Sequence, residues 1–237
     1  MAWVAGVDGC RGGWFVVLRD MSSGCTRHNF VEEIRGVLTL PEKPIVVAVD
    51  IPIGLLEHAV RGGRDCDREA RGLLGEPRAR SVFSPPVRAA LSCADYPSAC
   101  RTNRASSSEK IGISRQSFGL RDKLLELDEL MSPGLQDTIK EVHPELSFYE
   151  LNGRRAMKHS KKEHDGLANR RKLLLDVGFA GVVSGNSGYP RAQVAEDDVL
   201  DACVACWTAT RILGGQAICI PTDTPCDGCG IRMEIWR

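Results

Sequence analysis

Two apolar segments of the chain end in an aspartate. They are Val4–Asp8 and Ile45–Asp50, and the second is a continuous β-branched run of the kind that forms a strand buried on both faces. Ligands of open α/β sheets bind outside the carboxyl ends of the strands. We therefore predict that Asp8 and Asp50 lie on adjacent parallel strands, close enough to share one divalent ion. The alternative is that each aspartate is only the turn residue at which its strand ends.

Two more aspartates, Asp198 and Asp201, are three residues apart in a segment, 196–213, whose composition and periodicity predict a helix. Residues at this spacing share a helix face, and two like charges there repel each other unless a cation lies between them. Attraction of acids to the helix N-terminus is an alternative explanation, but it fades after the first turn and explains Asp201 less well. We predict that this face points into the same cleft as Asp8.

The fifth acidic candidate is Glu141, in the segment Glu141-Val142-His143-Pro144-Glu145. Glu141 and His143 alternate along a predicted strand, so they should point to one face. Glu141 is a candidate metal ligand, and His143 is a candidate for proton transfer or substrate contact, although an isolated histidine is more often a structural hydrogen-bonding residue. Because carboxylate oxygens are the ligands that Mg²⁺ and Mn²⁺ prefer, these five acids together predict a magnesium or manganese site.

A glycine-rich stretch, Gly9–Gly13, follows the first acidic residue. A loop that cradles nucleotide phosphates must open onto a helix, because the helix N-terminus holds the phosphate. Here the loop opens onto Trp14–Leu18, which has the composition of a strand, so we predict a β-hairpin instead. Arg11 inside the loop remains a candidate contact for a substrate phosphate.

Charge and composition limit the function classes. The chain has 237 residues, 43% of them hydrophobic, and a formal net charge of +0, so no overall charge attracts it to nucleic acid or to a membrane. The local exception is the segment 154–172, where eight Lys and Arg residues accompany only two acids. This segment is either a solvated helical surface or a phosphate-binding one.

No apolar run has the length of a membrane span, and no export signal is recognisable, so we expect no membrane association and a cytoplasmic location. The ten cysteines are then expected to be reduced. Two pairs, Cys203/Cys206 and Cys226/Cys229, have a spacing that also suits zinc. We predict that the first pair is buried in helix packing and does not join the second around one ion.

The order of predicted elements is three strands, a short helix, a strand, a mostly helical insertion at about 55–135, a strand and then helices. This order predicts an α/β fold in which one mixed β-sheet is flanked by helices. The length suits a single domain, 1–237, that carries the insertion.

Five motifs in this order resemble the domain-of-unknown-function family 429, described as predicted RNase H-like nucleases. They are Val7–Trp14, Val49–Gly54, Ser81–Arg88, Glu141–Glu145 and Asp198–Ala202. The resemblance covers nearly the whole chain. It implies an RNase H-like fold whose acidic site consists of Asp8, Asp50, Glu141 and the pair Asp198 and Asp201, a pair that is similar in spacing to the last acidic motif of RuvC-type resolvases.

The resemblance favours a metal-dependent nuclease in which carboxylates hold two ions that act on a phosphodiester. Arg11, Arg80 and Arg88 are then candidate phosphate contacts, the last two at the Ser81–Arg88 motif. One alternative is a phosphotransferase of the actin and sugar-kinase type, whose first phosphate loop is also an Asp- and Gly-containing hairpin. The other is a non-catalytic nucleic-acid-binding or scaffold protein on the same fold.

Overall fold

The computed structural model describes residues 2–185 and 187–237. The chain divides into two compact units. Unit 1 comprises residues 1–51, 137–218 and 236–237, and unit 2 comprises residues 52–136 and 219–235. Unit 2 therefore contains one long internal segment and a shorter one close to the C-terminus.

Unit 1 contains a five-stranded sheet. Its strands are β1 (Trp3–Cys10), β2 (Gly13–Asp20), β3 (Thr26–Val31), β4 (Val46–Val49) and β5 (Ile139–Glu141). They lie in the order β3-β2-β1-β4-β5. The pairs β3/β2 and β2/β1 are antiparallel, and the pairs β1/β4 and β4/β5 are parallel. The predicted mixed α/β sheet is confirmed, and its order is consistent with an RNase H-like fold.

The first two strands form a hairpin. β1 pairs with β2 as far as Cys10 and Gly13, so Arg11 and Gly12 alone make the turn. Gly12 has a φ of +82°, a left-handed conformation that costs a glycine little. The glycine-rich stretch is thus a hairpin turn rather than the start of a helix.

Nine helices lie in the described part of the chain: α1 (Asp65–Leu74), α2 (Arg88–Leu91), α3 (Tyr96–Ala105), α4 (Arg115–Gly119), α5 (Arg121–Leu130), α6 (Pro144–Leu151), α7 (His164–Asp176), α8 (Ala180–Val183) and α9 (Glu196–Leu213). The first five belong to unit 2 and the last four to unit 1. Short 3₁₀ helices occur at Ile34–Thr39, Arg78–Ser81 and Leu135–Asp137.

Helix α9 packs directly on the sheet, against β1, β2 and β4. Its closest approach is at Gly6 of β1, where a Cβ atom would lie 2.6 Å from Cys206 Cα and closer still to the backbone of Ala202. No other residue type fits between the strand and the helix at this distance. The core on this side of the sheet also contains Phe15 and Ala48, and the 3₁₀ helix at Ile34–Thr39 contacts β2 and β3.

Unit 2 is organised by buried ion pairs as well as by apolar contacts. Arg64 and Asp67 form a salt bridge of 2.7 Å at the start of α1, with both side chains 1% exposed. Arg64, not Asp65, is the N-cap of this helix. The spacing of Leu120, Leu124, Leu127 and Leu130 predicts one long helix that begins at Ser114. The structure has two helices instead, because Leu120, with φ and ψ of −95° and 3°, separates α4 from α5.

The chain ends in two short strands, β6 (Cys219–Ile220) and β7 (Ile235–Trp236), which pair with each other. Within unit 1, Ile218 and Arg237 exchange two backbone hydrogen bonds of 2.9 Å. Among the described residues, no helix combines the length and the apolar character that a membrane span requires.

Candidate active site

Asp8 and Asp50 lie next to each other at the point where the pairing between β1 and β4 ends. Val7 of β1 lies opposite Val49 of β4, and the amide of Asp50 donates to the carbonyl of Val7 at 3.0 Å. Beyond this point β1 continues to Cys10 beside β2 alone, so Asp8 lies inside the strand and not at its end. The carboxyl groups of Asp8 and Asp50 lie close enough together for the charge of Asp50 to raise the pKa of Asp8.

Alternation along the strands determines which side these carboxylates face. Gly6 lies against α9, and Asp8, two residues further along β1, shares its face. In the same way Asp50 follows Ala48, which belongs to the core under α9. Both carboxylates therefore point to the helix side of the sheet, where α9 supplies Asp201.

Asp201 is the most enclosed acid of the cluster, with 1% of its surface exposed. One carboxylate oxygen, Oδ2, accepts a hydrogen bond from the ammonium of Lys161. The other oxygen, Oδ1, is buried and has no hydrogen-bond partner among the described residues. A buried carboxylate oxygen with no partner loses its hydration without compensation, which is costly unless a ligand or proton completes it.

Burial and mutual repulsion raise the pKa of each of these three aspartates. Burial is the largest cause at Asp8, followed by the charges of Asp50 and Asp201, and its pKa is well above the usual value. Burial, and then the charge of Asp201, raises the pKa of Asp50 to about 7. The pKa of Asp201 is raised by burial, although Lys161 counteracts the rise.

Lys161, in the irregular segment between α6 and α7, supplies positive charge to the cluster. Burial lowers the pKa of its ammonium, but the charges of Asp201, Asp8 and Asp50 act in the opposite direction and leave it above the usual value. Lys161 thus remains charged. Its Nζ is also 3.7 Å from Oδ2 of Asp197. The same oxygen is 2.6 Å from Nζ of Lys162, whose side chain lies at the protein surface.

The two remaining predicted acids lie at the margin of the cluster. Asp198 accepts the amide of Ala195 at 2.8 Å in a capping interaction at the start of α9, and its charge raises the pKa of Asp8. Glu141 is buried at the end of β5, on the sheet face opposite to that of Val142, which packs in the α9 core. Its charge still raises the pKa of Asp50.

Sequence reasoning missed Lys161 as a partner of the site, and it missed Asp197. Asp197 is four residues before Asp201, and that spacing places both on one helix face. The pair that faces Lys161 is therefore Asp197 and Asp201, whereas Asp198 is occupied with the helix end. The signal for Lys161 was its membership of the basic segment 154–172, which did not distinguish it from its neighbours.

The donor chemistry of the cluster fits a divalent cation, because every candidate ligand is a carboxylate oxygen and one of them is buried without a partner. The present positions of the side chains are arranged around an ammonium instead. In the described ranges, no group of three or more His, Cys, Asp or Glu side chains surrounds a common point at which an ion could bind. Asp8, Asp50 and Asp201 are the residues whose carboxylates would hold such an ion.

The predicted phosphate contacts have different surroundings. Arg11 is exposed at the hairpin turn of unit 1, and its amide donates to the carbonyl of Gln193. Arg80, in unit 2, is 80% exposed and pairs with Glu76. Arg88, also in unit 2, is engaged by three acids: Glu57, Asp128 and Asp227. His143 is the half-buried N-cap of α6.

The cysteines do not form a zinc site within the described residues. Cys203 and Cys206 are buried completely in the packing of α9. Cys226 and Cys229 are exposed thiols beside a turn that Asp227 closes by accepting the amides of Cys229 and Ile231. No disulfide joins any two of the ten cysteines.

The family described as "Protein of unknown function (DUF429)" matches residues 6–225 of the chain. The chain belongs to this family. The part that matches DUF429 contains all five predicted acids and Lys161. Comparison with curated proteins and with solved structures gives no match.

Proposed function

We propose that this DUF429 protein is a divalent-metal-dependent hydrolase that cleaves phosphodiester bonds in nucleic acid. The observation that supports the proposal is the buried, unpartnered oxygen of Asp201, close to two further buried carboxyl groups whose pKa values are raised. Acids that close together are stable only with protons or with cations, and both can be exchanged for a metal ion. We place the protein in the cytoplasm.

Asp8, Asp50 and Asp201 are the proposed ligands of Mg²⁺ or Mn²⁺, with Asp198 and Glu141 contributing negative charge from the margin. A bound ion would offset the charge that develops on the phosphate during hydrolysis. Rigid elements position the three ligands: two come from adjacent parallel strands, and the third comes from a helix in close contact with one of those strands.

The basic segment beside the site favours an anionic substrate despite the neutral net charge. Arg155, Lys158 and Lys172 are exposed residues of this segment, in the same unit as the carboxylates. Exposed Lys and Arg side chains bind nucleic acid mainly through its phosphates, so binding through this segment should weaken steeply as salt is raised.

The test is cleavage of a panel of branched, hybrid and single-stranded nucleic acids in Mn²⁺, with Asp8→Asn as the inactive variant. Asp176→Asn is the matched control, since Asp176 is an exposed acid at the end of α7. We expect Asp8→Asn to abolish cleavage and Asp176→Asn to retain it. Asp8→Asn should also lose the thermal stabilisation that Mn²⁺ gives the wild type.

Three other outcomes would contradict the proposal. Turnover of ATP without cleavage of any nucleic acid would favour the phosphotransferase alternative. Nucleic-acid affinity that is unchanged by chelation of metal, again without cleavage, would favour a binding or scaffold protein. Cleavage that persists in Asp8→Asn would place the chemistry elsewhere in the chain.

A further inference from the structure

The carboxylate that Lys161 contacts, that of Asp201, is also a proposed ligand of the metal ion. The ammonium of Lys161 donates to Oδ2 of Asp201, and it lies close enough to Asp8 and Asp50 to interact with both charges. We propose that Lys161 is an internal competitor of the metal, so that its ammonium and a divalent ion occupy the carboxylate cluster in turn. This inference rests on the metal site of the proposed function and concerns how that site is filled.

The backbone around Lys161 is held in place, so the exchange requires movement of the side chain alone. Gly166 of α7 lies so close to Ser160 that a Cβ atom on it would be 2.6 Å from the carbonyl carbon of Ser160. Arg170, which is buried and paired with Glu145 at 2.6 Å, donates to the carbonyl of His159 at 3.1 Å. The two residues before Lys161 are therefore fixed to the helix.

The side chain of Lys161 has a route out of the cluster. It is 35% exposed, whereas the side chain of Asp201 is 1% exposed. A flexible four-carbon chain with one end at the surface can turn its ammonium into water without unfolding its neighbours. The carboxylates cannot follow it, because Asp8 lies within a strand and Asp201 within a helix.

Joint occupation by both cations is unfavourable. A divalent ion bound to Asp201 would lie within a few ångströms of the ammonium in a buried setting, where like charges repel strongly. Lys161 holds Oδ2 of Asp201, so an ion bound at the unpartnered Oδ1 would share this one carboxylate with the ammonium. Binding of the metal thus displaces the ammonium, and the cost of displacement weakens the affinity for metal.

Lys162 is the matched control for this competition. It is the next residue in the chain and carries the same charge, but its side chain is 72% exposed and its ammonium pairs with Asp197. The experiment measures Mn²⁺ binding by the loss of the free-ion EPR signal in the wild type, Lys161→Met and Lys162→Met. We expect Lys161→Met to bind Mn²⁺ about tenfold more tightly than the wild type, and Lys162→Met to bind within about twofold of it.

A second measurement uses the wild-type protein, so it does not depend on the folding of a variant. Acylation of lysine amines, quantified by mass spectrometry, should increase at Lys161 when Mg²⁺ is added and stay constant at Lys162. Unchanged labelling of Lys161, or Mn²⁺ affinity in Lys161→Met that equals or falls below that of the wild type, would overturn the competition. Absence of Mn²⁺ binding in all three proteins would overturn the metal site as well. Competition without nucleic-acid cleavage would overturn only the proposed substrate.

Discussion

The contact between Gly6 and α9 makes the substitution Gly6→Ala a direct test of how the site is assembled. The new methyl group would lie 2.6 Å from Cys206 Cα, whereas ordinary contacts begin at 3.4 Å. The obstructing atoms belong to a helix backbone, so the whole of α9 has to retreat from β1 by about 0.8 Å or more. Overpacking of this kind costs about 1–3 kcal/mol or more, and we expect the upper end of that range because no flexible side chain can give way.

Urea unfolding followed by tryptophan fluorescence measures this effect, because all four tryptophans belong to unit 1. With an m value of about 2 kcal/mol/M, a loss of about 3 kcal/mol lowers the midpoint by about 1.5 M. Gly214→Ala is the control on the same helix, since its Cβ would meet only ordinary contacts of 3.4 and 3.8 Å. Equal midpoints for Gly6→Ala and Gly214→Ala would refute the close approach.

Three further expectations concern charge and exposure. Without metal, the free energy of unfolding should fall as pH rises from about 4 to 7, because folded Asp50, with a pKa of about 7, keeps a proton that the unfolded carboxyl loses near 3.9. Asp50→Asn should flatten this dependence in urea unfolding. A free energy of unfolding that rises with pH in the wild type would contradict the shift in pKa. Arg64→Met should lower stability by about 3–5 kcal/mol by leaving a buried carboxylate unpaired, and a thermal melt by circular dichroism that matches the wild type would contradict the burial. Ellman's reagent should react rapidly with three exposed thiols of the folded protein, those of Cys25, Cys226 and Cys229. Rapid reaction of more than three thiols would contradict the structure.

The features that could be predicted from the sequence are those that depend on local pattern. The β-branched run before Asp50 forms a central strand, and α9 has the bounds Glu196–Leu213 that its composition predicts. The glycine-rich stretch is a hairpin because the residues after it are strand formers. In each case the signal lies within one element and depends on nothing more distant.

The features that could not be predicted depend on partners far away in the chain. Lys161 contacts Asp201 across 40 residues of sequence, and nothing local distinguishes it from Lys162. The sequence indicates Arg88 as a candidate phosphate contact, but in the structure its side chain pairs with three acids from separate segments. The break at Leu120 divides a helix whose apolar spacing continues without interruption.

The packing of α9 on β1 also determines when the carboxylate cluster can form during synthesis of the chain. β1 leaves the ribosome before α9, because proteins are made from the N-terminus onward and β1 precedes α9 in the chain. Until α9 emerges, the strip of β1 around Gly6 has no cover, and Asp8 and Asp50 have no Asp201 beside them. A chain released before α9 is made therefore carries a carboxylate cluster without Asp201 and a sheet that α9 does not cover. Synthesis at least as far as α9 is in this way a condition for the carboxylates to meet.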